Sequence, residues 1–311
     1  MRCVVSTSGS CDHYSRNVCN VSFTARETPM IPTSNSALYE QYPIVDAFDR
    51  IHVWLDRAEL PFKISRLRAH CTDLYAKARQ PEYQAHRKFY LAIHQPSLEC
   101  LVRLRDYLGA EVNAELTYVE VARDVLFKRQ SRISTLRKTF CGAAVIPYQR
   151  EPAIDYRGNV YWGRRCKAAE RQGNVMTLYT DRPSKLCNAQ PTDDASNCFH
   201  LEWRATGKDA LAKLGIRALN DLIEFDHLRH WDEVLRLYQL PKKTELGRLL
   251  ANSQGGRANV TSVAYLRRAS RWLDENTIKG NFFLHNALKS APGLSRRLES
   301  MNWSQMLDAS I

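Results

Sequence analysis

One tyrosine set among cations is the place in this sequence where the residue types could perform chemistry. Tyr179 ends the short β-like run 176–179, and arginines and lysines flank that run on both sides. Because cations stabilise both a phenolate and the charge of a phosphoryl transition state, this pattern is compatible with covalent chemistry on a phosphate. The alternative is a half-buried strand tyrosine beside a solvated basic loop. The cations concerned are Arg164, Arg165, Lys167, Arg182 and Lys185.

Three carboxylates on predicted strands form the second set with chemical potential. Alternation of apolar and polar residues places Glu120 and Asp124 on one face of a strand, and Glu202 on a later strand. Buried charges are costly unless they are paired or bind a metal, so arginine partners and a metal site are both open. Hard carboxylate oxygens suit Mg²⁺ or Mn²⁺. Residues four apart on a strand lie roughly 13 Å apart, so we expect one of Glu120 and Asp124 to be a ligand and the other to support it.

Two histidines near these acids have two interpretations each. His94 ends a predicted strand, and His200 shares a strand face with Glu202. Either imidazole could be a metal ligand or a hydrogen-bonded structural group.

Composition points to a polyanionic partner. The 311 residues carry a net charge of +12, with a pI near 9.3. Such an excess favours nucleic acid, through steering and counterion release, and an anionic membrane surface comes second. The sequence contains neither a run of about 18 apolar residues nor a signal-peptide pattern, which disfavours a membrane role. The nine cysteines form no CxxC pair, which argues against zinc fingers and fits a reducing cytoplasm.

The chain divides by character into three segments. Residues 1–40 are rich in Ser, Thr, Asn and Pro and predict a disordered leader. Residues 41–205 contain the predicted strands, and residues 206–311 are mainly helical. The predicted strands cover 49–55, 89–93, 116–127, 161–163, 176–179 and 199–204. One predicted helix lies between Ser97 and Gly109, and another runs through Val234 and Tyr238 and stops before Pro241. A third, basic helix has an apolar stripe formed by Val263, Leu266, Ala269 and Leu273.

Four short segments in this order resemble the rolling-circle replication initiators and relaxases of the Rep-trans type. The strand and helix of 90–108 resemble the family strand that ends near an Asn-Pro and runs into a helix. Residues 116–124, LTYVEVARD, resemble its TRLDLAFD-like strand, with Glu120 where the family usually has Asp. YWGRR and TLYTDRPSK, at 161–165 and 177–185, resemble the segments that carry the nucleophilic tyrosine. Residues 199–207, FHLEWRATG, resemble the W-R-[VI]-E-[IL] strand.

The resemblance implies a fold and an activity. The fold is α+β, with an antiparallel-rich central sheet flanked by helices in an HUH-like nickase core and a mainly helical C-terminal region. The activity is that of a DNA endonuclease and ligase for replication initiation, in which Tyr179 forms a 5′-phosphotyrosine at the origin nick and frees a 3′-OH. Glu120, Asp124 and Glu202 would hold Mg²⁺ or Mn²⁺, and the five cations named above would bind the DNA. The family also implies that the protein acts in the cytoplasm and recruits a replicative helicase. A dimer is compatible with the resemblance.

Two other function classes fit part of the sequence. A non-catalytic basic regulator of a phage or plasmid explains the charge and the helical C-terminal region, but not three strands that carry carboxylates. A tyrosine recombinase would need its HxxR signature, which occurs only at His13–Arg16, within the predicted leader.

Overall fold

The computed structural model describes residues 44–78, 86–127, 130–147, 149–163, 173–184, 198–253 and 262–310. The predicted leader lies outside the described residues. All of the described residues belong to one unit, Ala37–Ile311.

The described ranges contain both strands and helices. The strands are β1 Ile44–Leu55, β2 Asp73–Ala78, β3 Phe89–His94, β4 Ala114–Leu126, β5 Ala144–Val145, β6 Ala153–Tyr156, β7 Asn159–Trp162, β8 Gly173–Tyr179, β9 Cys198–Thr206, β10 Arg236–Gln239, β11 Thr277–Ile278, β12 Asn281–Phe282 and β13 Glu299–Met301. The helices are α1 Ser65–Arg68, α2 Leu98–Leu108, α3 Gln130–Ala143, α4 Lys208–Lys213, α5 Leu219–Ile223, α6 His227–Val234, α7 Lys243–Ser253, α8 Ser262–Glu275, α9 Leu284–Ser290 and α10 Trp303–Asp308, with a 3₁₀ turn at Pro292–Arg296. None of the helices in the described ranges combines the length and apolar character needed to cross a membrane.

An eight-stranded sheet dominates the described residues, in the order β2-β3-β1-β4-β9-β8-β7-β6. Every neighbouring pair in it is antiparallel. Smaller sheets join β13, β10 and β5, and β11 with β12. The predicted α+β fold, with an antiparallel sheet flanked by helices, is therefore confirmed.

Local sequence signals explain the best-predicted helix. The Ser97 hydroxyl accepts a hydrogen bond from the backbone N–H of Cys100 at 3.1 Å, so it caps the first turn of α2. Gly109 ends the helix with a φ of 64°, a conformation that costs glycine little. The helix begins and ends where Pro96-Ser97 and Gly109 predict.

Other elements differ from the sequence-based expectations. β1 begins at Ile44, five residues before the predicted start, and residues 63–88 include α1 and β2 although they show no clear pattern. The predicted helix through Tyr238 ends at Val234, because the chain becomes extended there and Arg236–Gln239 pairs with β5 and β13. On α8, Ala269 and Trp272 are buried, whereas Val263 of the predicted stripe is 53% exposed.

Several helices, among them α2, α3, α6 and α10, pack against one face of the large sheet. Strand side chains alternate between two faces, and one set enters a hydrophobic core. That core includes Ile51, Val53, Leu91, Ile93, Val119, Val121, Leu178 and Leu201 from the sheet, together with Leu104 of α2, Phe140 of α3, Trp231 of α6 and Trp303 of α10. The other set of side chains therefore forms a separate face, which we call the polar face.

Candidate functional site

Three central strands contribute the chemistry of the polar face. Their register places His200 of β9 between Asp124 of β4 and Tyr179 of β8. Directly opposed residues in antiparallel strands point to the same side of a sheet, so these side chains share one face. The residues of this central group are Glu120 and Asp124 from β4, His200, Glu202 and Arg204 from β9, and Tyr179 from β8.

The Tyr179 ring is buried, but its hydroxyl faces polar groups. Only 5% of the residue is exposed. The hydroxyl oxygen accepts a hydrogen bond from Nη2 of Arg204 at 2.6 Å and also contacts the hydroxyl of Tyr161 on β7. The guanidinium carbon of Arg182 lies 4.3 Å from the ring centroid, close enough for a cation–π interaction. The phenol therefore points into the group of ionisable side chains and not into the apolar core.

The environment of Tyr179 favours the neutral phenol. Burial raises its pKa above that of an exposed tyrosine, and the negative charge of Glu202 acts in the same direction. Arg204 opposes both effects without overcoming them. Four of the five cations that we expect to favour a phenolate lie outside the described residues, so that expectation stays a prediction. A nucleophilic role requires that the phenol loses its proton as it attacks.

Arg204 joins two of the predicted acidic residues. Its Nε lies 3.3 Å from Oε1 of Glu120 and donates to Oε2 of Glu202 at 2.8 Å. The hydroxyl of Tyr118 also donates to Glu120, and Nε of Arg50 lies 3.6 Å from the other carboxylate oxygen. Burial, reinforced by the charge of Glu202, raises the pKa of Glu120 to about 8. Glu120 thus has arginine partners, which is one of the two alternatives that its sequence context leaves open.

His200 connects the other acidic residues. Its Nδ1 contacts a carboxylate oxygen of Asp124, and its Nε2 lies 3.3 Å from Oε1 of Glu202. Asp124 also accepts a hydrogen bond from Ser184. Burial alone would lower the pKa of His200, but the contacts with both carboxylates outweigh it and raise that pKa to about 10. The imidazole is therefore held in one orientation between two acids.

Two groups of potential metal ligands occur among the described residues. In one, ligand atoms of Asp49, His200 and Glu202 lie within 4.8 Å of one another, and in the other those of Asp124, Cys198 and His200 do so. Glu120 belongs to neither group, and Asp124 and Glu202 fall in different groups that share His200. The described residues thus bring the three predicted ligands onto one face without joining them in a single group.

The donor chemistry favours the first group for a hard divalent ion. One imidazole nitrogen and two carboxylates suit Mn²⁺ and are acceptable to Mg²⁺, whereas the thiol of Cys198 suits softer metals. The contact of Asp124 with the opposite ring nitrogen of His200 matches the way carboxylates orient metal-binding histidines. Asp49, His200 and Glu202 therefore fit a divalent cation, with Asp124 behind them.

Asp49 is a candidate that sequence reasoning missed. It is buried at a β-bulge in β1, where the register with β4 shifts between Phe48 and Arg50. The side chain of Gln95 donates to the carbonyl of Asp49 at 3.0 Å and also to its carboxylate. Gln95 holds this position with a φ of 41°, an uncommon backbone conformation for a residue other than glycine. A bulge interrupts the alternation, so no periodic signal marks Asp49.

Of the five cations predicted to bind DNA, one lies within the described residues and four lie outside them. Arg182 lies over the Tyr179 ring and 3.8 Å from its neighbour Asp181. The other predicted DNA-binding cations lie outside the described residues, namely Arg164, Arg165, Lys167 and Lys185.

Comparison with solved structures finds a distant likeness. This chain is similar to a rolling circle replication initiator protein from Geobacillus stearothermophilus. The TM-score is 0.38 and the sequence identity 10%, over 73% of this chain and 97% of that chain. No family model matches the sequence, and no curated protein matches it. A likeness this distant carries no inference about activity, which has to rest on the geometry of the polar face.

Proposed function

We propose that this protein initiates rolling-circle replication, as a sequence-specific, metal-dependent DNA endonuclease and ligase that uses Tyr179 as its nucleophile. The observation that carries the proposal is the hydrogen bond between the Tyr179 hydroxyl and Arg204, on a sheet face that also bears His200 and Glu202. The resemblance to Rep-trans initiators supports it, because the motifs at 116–124, 177–185 and 199–207 supply β4, the end of β8 and β9.

Cleavage follows from these positions as a covalent transfer. The Tyr179 oxygen attacks the phosphorus of one phosphodiester, and the bond from phosphorus to the 3′ oxygen breaks. The phenol proton passes to a carboxylate of the polar face and from there to the departing 3′ oxygen, which becomes a free hydroxyl. Attack by a 3′ hydroxyl on the phosphotyrosine reverses these steps and rejoins the strand.

The side chains around Tyr179 supply charge and proton transfer. Arg182 and Arg204 place positive charge beside the nucleophile, where a phosphate would approach. Glu120, with a pKa of about 8, lies near the balance between holding and releasing a proton at neutral pH. Asp49, His200 and Glu202 would hold Mg²⁺ or Mn²⁺, and a divalent ion bound there supplies charge neutralisation at the phosphate.

The Tyr179→Phe variant tests the nucleophile directly. Single-stranded and supercoiled DNA from the region flanking the gene, incubated with Mn²⁺ or Mg²⁺, should yield a covalent protein–DNA adduct on a denaturing gel. Tyr179→Phe should abolish the adduct and leave DNA binding near the wild-type level, because only the hydroxyl is lost. Tyr161→Phe is the matched control, since its hydroxyl contacts that of Tyr179, and it should still form the adduct. EDTA should stop cleavage.

Three outcomes of that experiment contradict the proposal. Persistence of the adduct in Tyr179→Phe would exclude Tyr179, and its loss only in Tyr161→Phe would assign the chemistry to the neighbouring strand. Cleavage that continues in EDTA would remove the metal ligands from the mechanism.

A non-catalytic DNA-binding regulator is the second candidate. The burial of Tyr179 and its raised pKa favour this function, because both oppose a reactive phenolate. Wild-type protein that binds DNA tightly but never forms an adduct would support the regulator. Four expectations from the sequence stay predictions. They are the recruitment of a helicase, a dimer, a cytoplasmic location, and a domain boundary between residues 205 and 206.

A further inference from the structure

A continuous series of aromatic rings crosses the other half of the polar face, and we call it the aromatic ladder. The centroids of Tyr75 and Tyr90 are 6.1 Å apart, and those of Tyr90 and Trp54 are 4.9 Å apart. His52 lies 5.3 Å from Tyr90 and stacks on Tyr118 at 4.5 Å. The five rings come from four adjacent strands, in the order β2, β3, β1 and β4.

The ladder connects the edge of the sheet with the candidate active site. At its outer end Tyr75 lies on the edge strand β2 and is 49% exposed. At its inner end the Tyr118 hydroxyl donates to Glu120, whose carboxylate lies beside Arg204 and hence beside the Tyr179 hydroxyl. A strand bound with its phosphate at Tyr179 would therefore continue onto the ladder.

Sheet stabilisation does not account for the exposed half of the ladder. Cross-strand aromatic pairs do strengthen sheets, and the buried end at Tyr118 fits that role. Tyr75, however, leaves about half of its surface in solvent on an edge strand, and Trp54 and Tyr90 are only partly buried. A partner that covers flat aromatic surface is the ligand that such rings suit.

Charge identifies the class of that partner. The exposed ammonium of Lys77 is on β2 opposite Tyr90, Arg50 is on the same face of β1, and the chain as a whole carries +12. Flat π surfaces combined with cations suit nucleobases attached to a phosphate backbone, and bases can stack this way only when they are unpaired. Four-stranded sheet faces with exposed aromatics bind two or three bases in this manner in RNA-recognition domains.

We infer that the aromatic ladder binds two or three unpaired bases of the DNA strand that Tyr179 cleaves, by stacking them on Tyr75, Tyr90 and Trp54. This inference rests on the proposed function for the identity of the strand. The ladder lies on one side of Tyr179, so it engages bases to one side of the cleaved phosphate and selects single-stranded over paired DNA.

Binding of a fluorescent single-stranded oligonucleotide and of its duplex, both in EDTA to prevent cleavage, tests the ladder. Tyr75→Ala and Trp54→Ala should each weaken binding of the single strand about tenfold and leave duplex binding unchanged. Tyr75→Phe keeps the ring and should bind as wild type. Leu98→Ala, which removes an exposed apolar side chain on α2 behind the sheet, is the matched control and should also bind as wild type.

A spectroscopic readout separates stacking from indirect effects. An oligonucleotide that carries 2-aminopurine should lose fluorescence when wild-type protein binds, because the base stacks on a ring, and the alanine variants should restore the signal at saturating protein. Single-strand affinity equal to wild type in both alanine variants, or equal losses for single strand and duplex, overturns the inference. If Trp54→Ala does not fold, Tyr75→Ala at the exposed edge carries the test.

The two proposals fail in distinguishable ways. Ring-dependent binding of the single strand without any covalent adduct keeps the ladder and removes the endonuclease. An adduct that depends on Tyr179, combined with binding that is indifferent to the rings, keeps the endonuclease and removes the ladder.

Discussion

His200 is the residue around which the acidic groups of the polar face are arranged. It contacts Asp124 through one ring nitrogen and lies 3.3 Å from Glu202 through the other. A histidine that binds a metal through Nε2 commonly has a carboxylate behind Nδ1. A protonated imidazole can instead pair with both acids, as the pKa of about 10 indicates. The two interpretations of His200 in the sequence therefore both stay predictions, and metal binding requires that Nε2 first loses its proton.

A divalent-ion titration distinguishes the ligand set inferred from the structure from the set predicted by sequence. Mn²⁺ binding, followed by calorimetry or electron paramagnetic resonance, should be lost in His200→Ala and weakened roughly 10- to 100-fold in Asp124→Asn, which only orients the imidazole. Glu120→Gln is the control and should retain wild-type affinity, because Glu120 belongs to neither ligand group. Loss of binding in Glu120→Gln that equals the loss in His200→Ala would restore the sequence-based ligand set. Circular dichroism should confirm that each variant is folded.

At the scale of elements, the C-terminal helices α7 and α8 cross at an unusually close point. A Cβ atom added to Gly247 would lie 2.1 Å from the carbonyl oxygen of Tyr265, well inside any allowed contact. Backbone on both sides of that contact leaves no flexible side chain that could move away. Gly247 is therefore required by packing, although glycine is a poor helix former.

Gly247→Ala should lower the free energy of unfolding by about 1–3 kcal/mol, because the added methyl group forces the two helices apart. Gly142→Ala is the matched control, since it lies in helix α3 and its nearest neighbour would be 3.8 Å away, at Phe282. That change should be neutral or stabilising by up to about 1 kcal/mol, through helix propensity alone. Urea denaturation measures both, and equal effects of the two substitutions would show that the crossing is not tight.

At the scale of the whole molecule, the end of the chain packs against the sheet that carries the candidate site. The Trp303 ring stacks on Phe140 at a centroid distance of 5.8 Å and lies 4.9 Å from the Arg123 guanidinium. Arg123 lies on β4 next to Asp124, but its side chain is on the core side of the sheet. There its Nε lies 2.7 Å from Oδ1 of Asp46 on β1. A separate apolar cluster between α7, α8 and α9 includes Trp272.

These two clusters predict different consequences for two tryptophan truncations. Trp303→Ala should lower the free energy of unfolding by about 3 kcal/mol and weaken amide hydrogen-exchange protection in β4, because it opens the core behind the site. Trp272→Ala should affect α7 and α8 first, since its side chain belongs to the other cluster. If amide hydrogen-exchange protection in β4 is the same in Trp303→Ala as in the wild type, the last helix is not needed to stabilise the sheet.

Local patterns in the sequence were sufficient for the central strands, for one helix and for the faces of the three acidic residues. The alternation in 116–127 and 199–204 predicts the faces of Glu120, Asp124 and Glu202, and Ser97 and Gly109 predict the ends of α2. Both signals are local, because strand period and helix capping depend on residues a few positions apart. Tyr238 was misassigned because its apolar spacing fits a helix, while pairing with two distant strands holds it extended.

Only the tertiary structure decided which of these side chains meet. Strand order and register involve residues far apart in sequence, such as Asp124 and His200 or Gln95 and Asp49, and no periodic signal encodes those pairings. The same holds for the pKa of Tyr179, since burial contributed by neighbouring strands outweighs the charge of Arg204. The residue types and their faces thus follow from the sequence, and their partners, burial and protonation follow from the way the strands assemble.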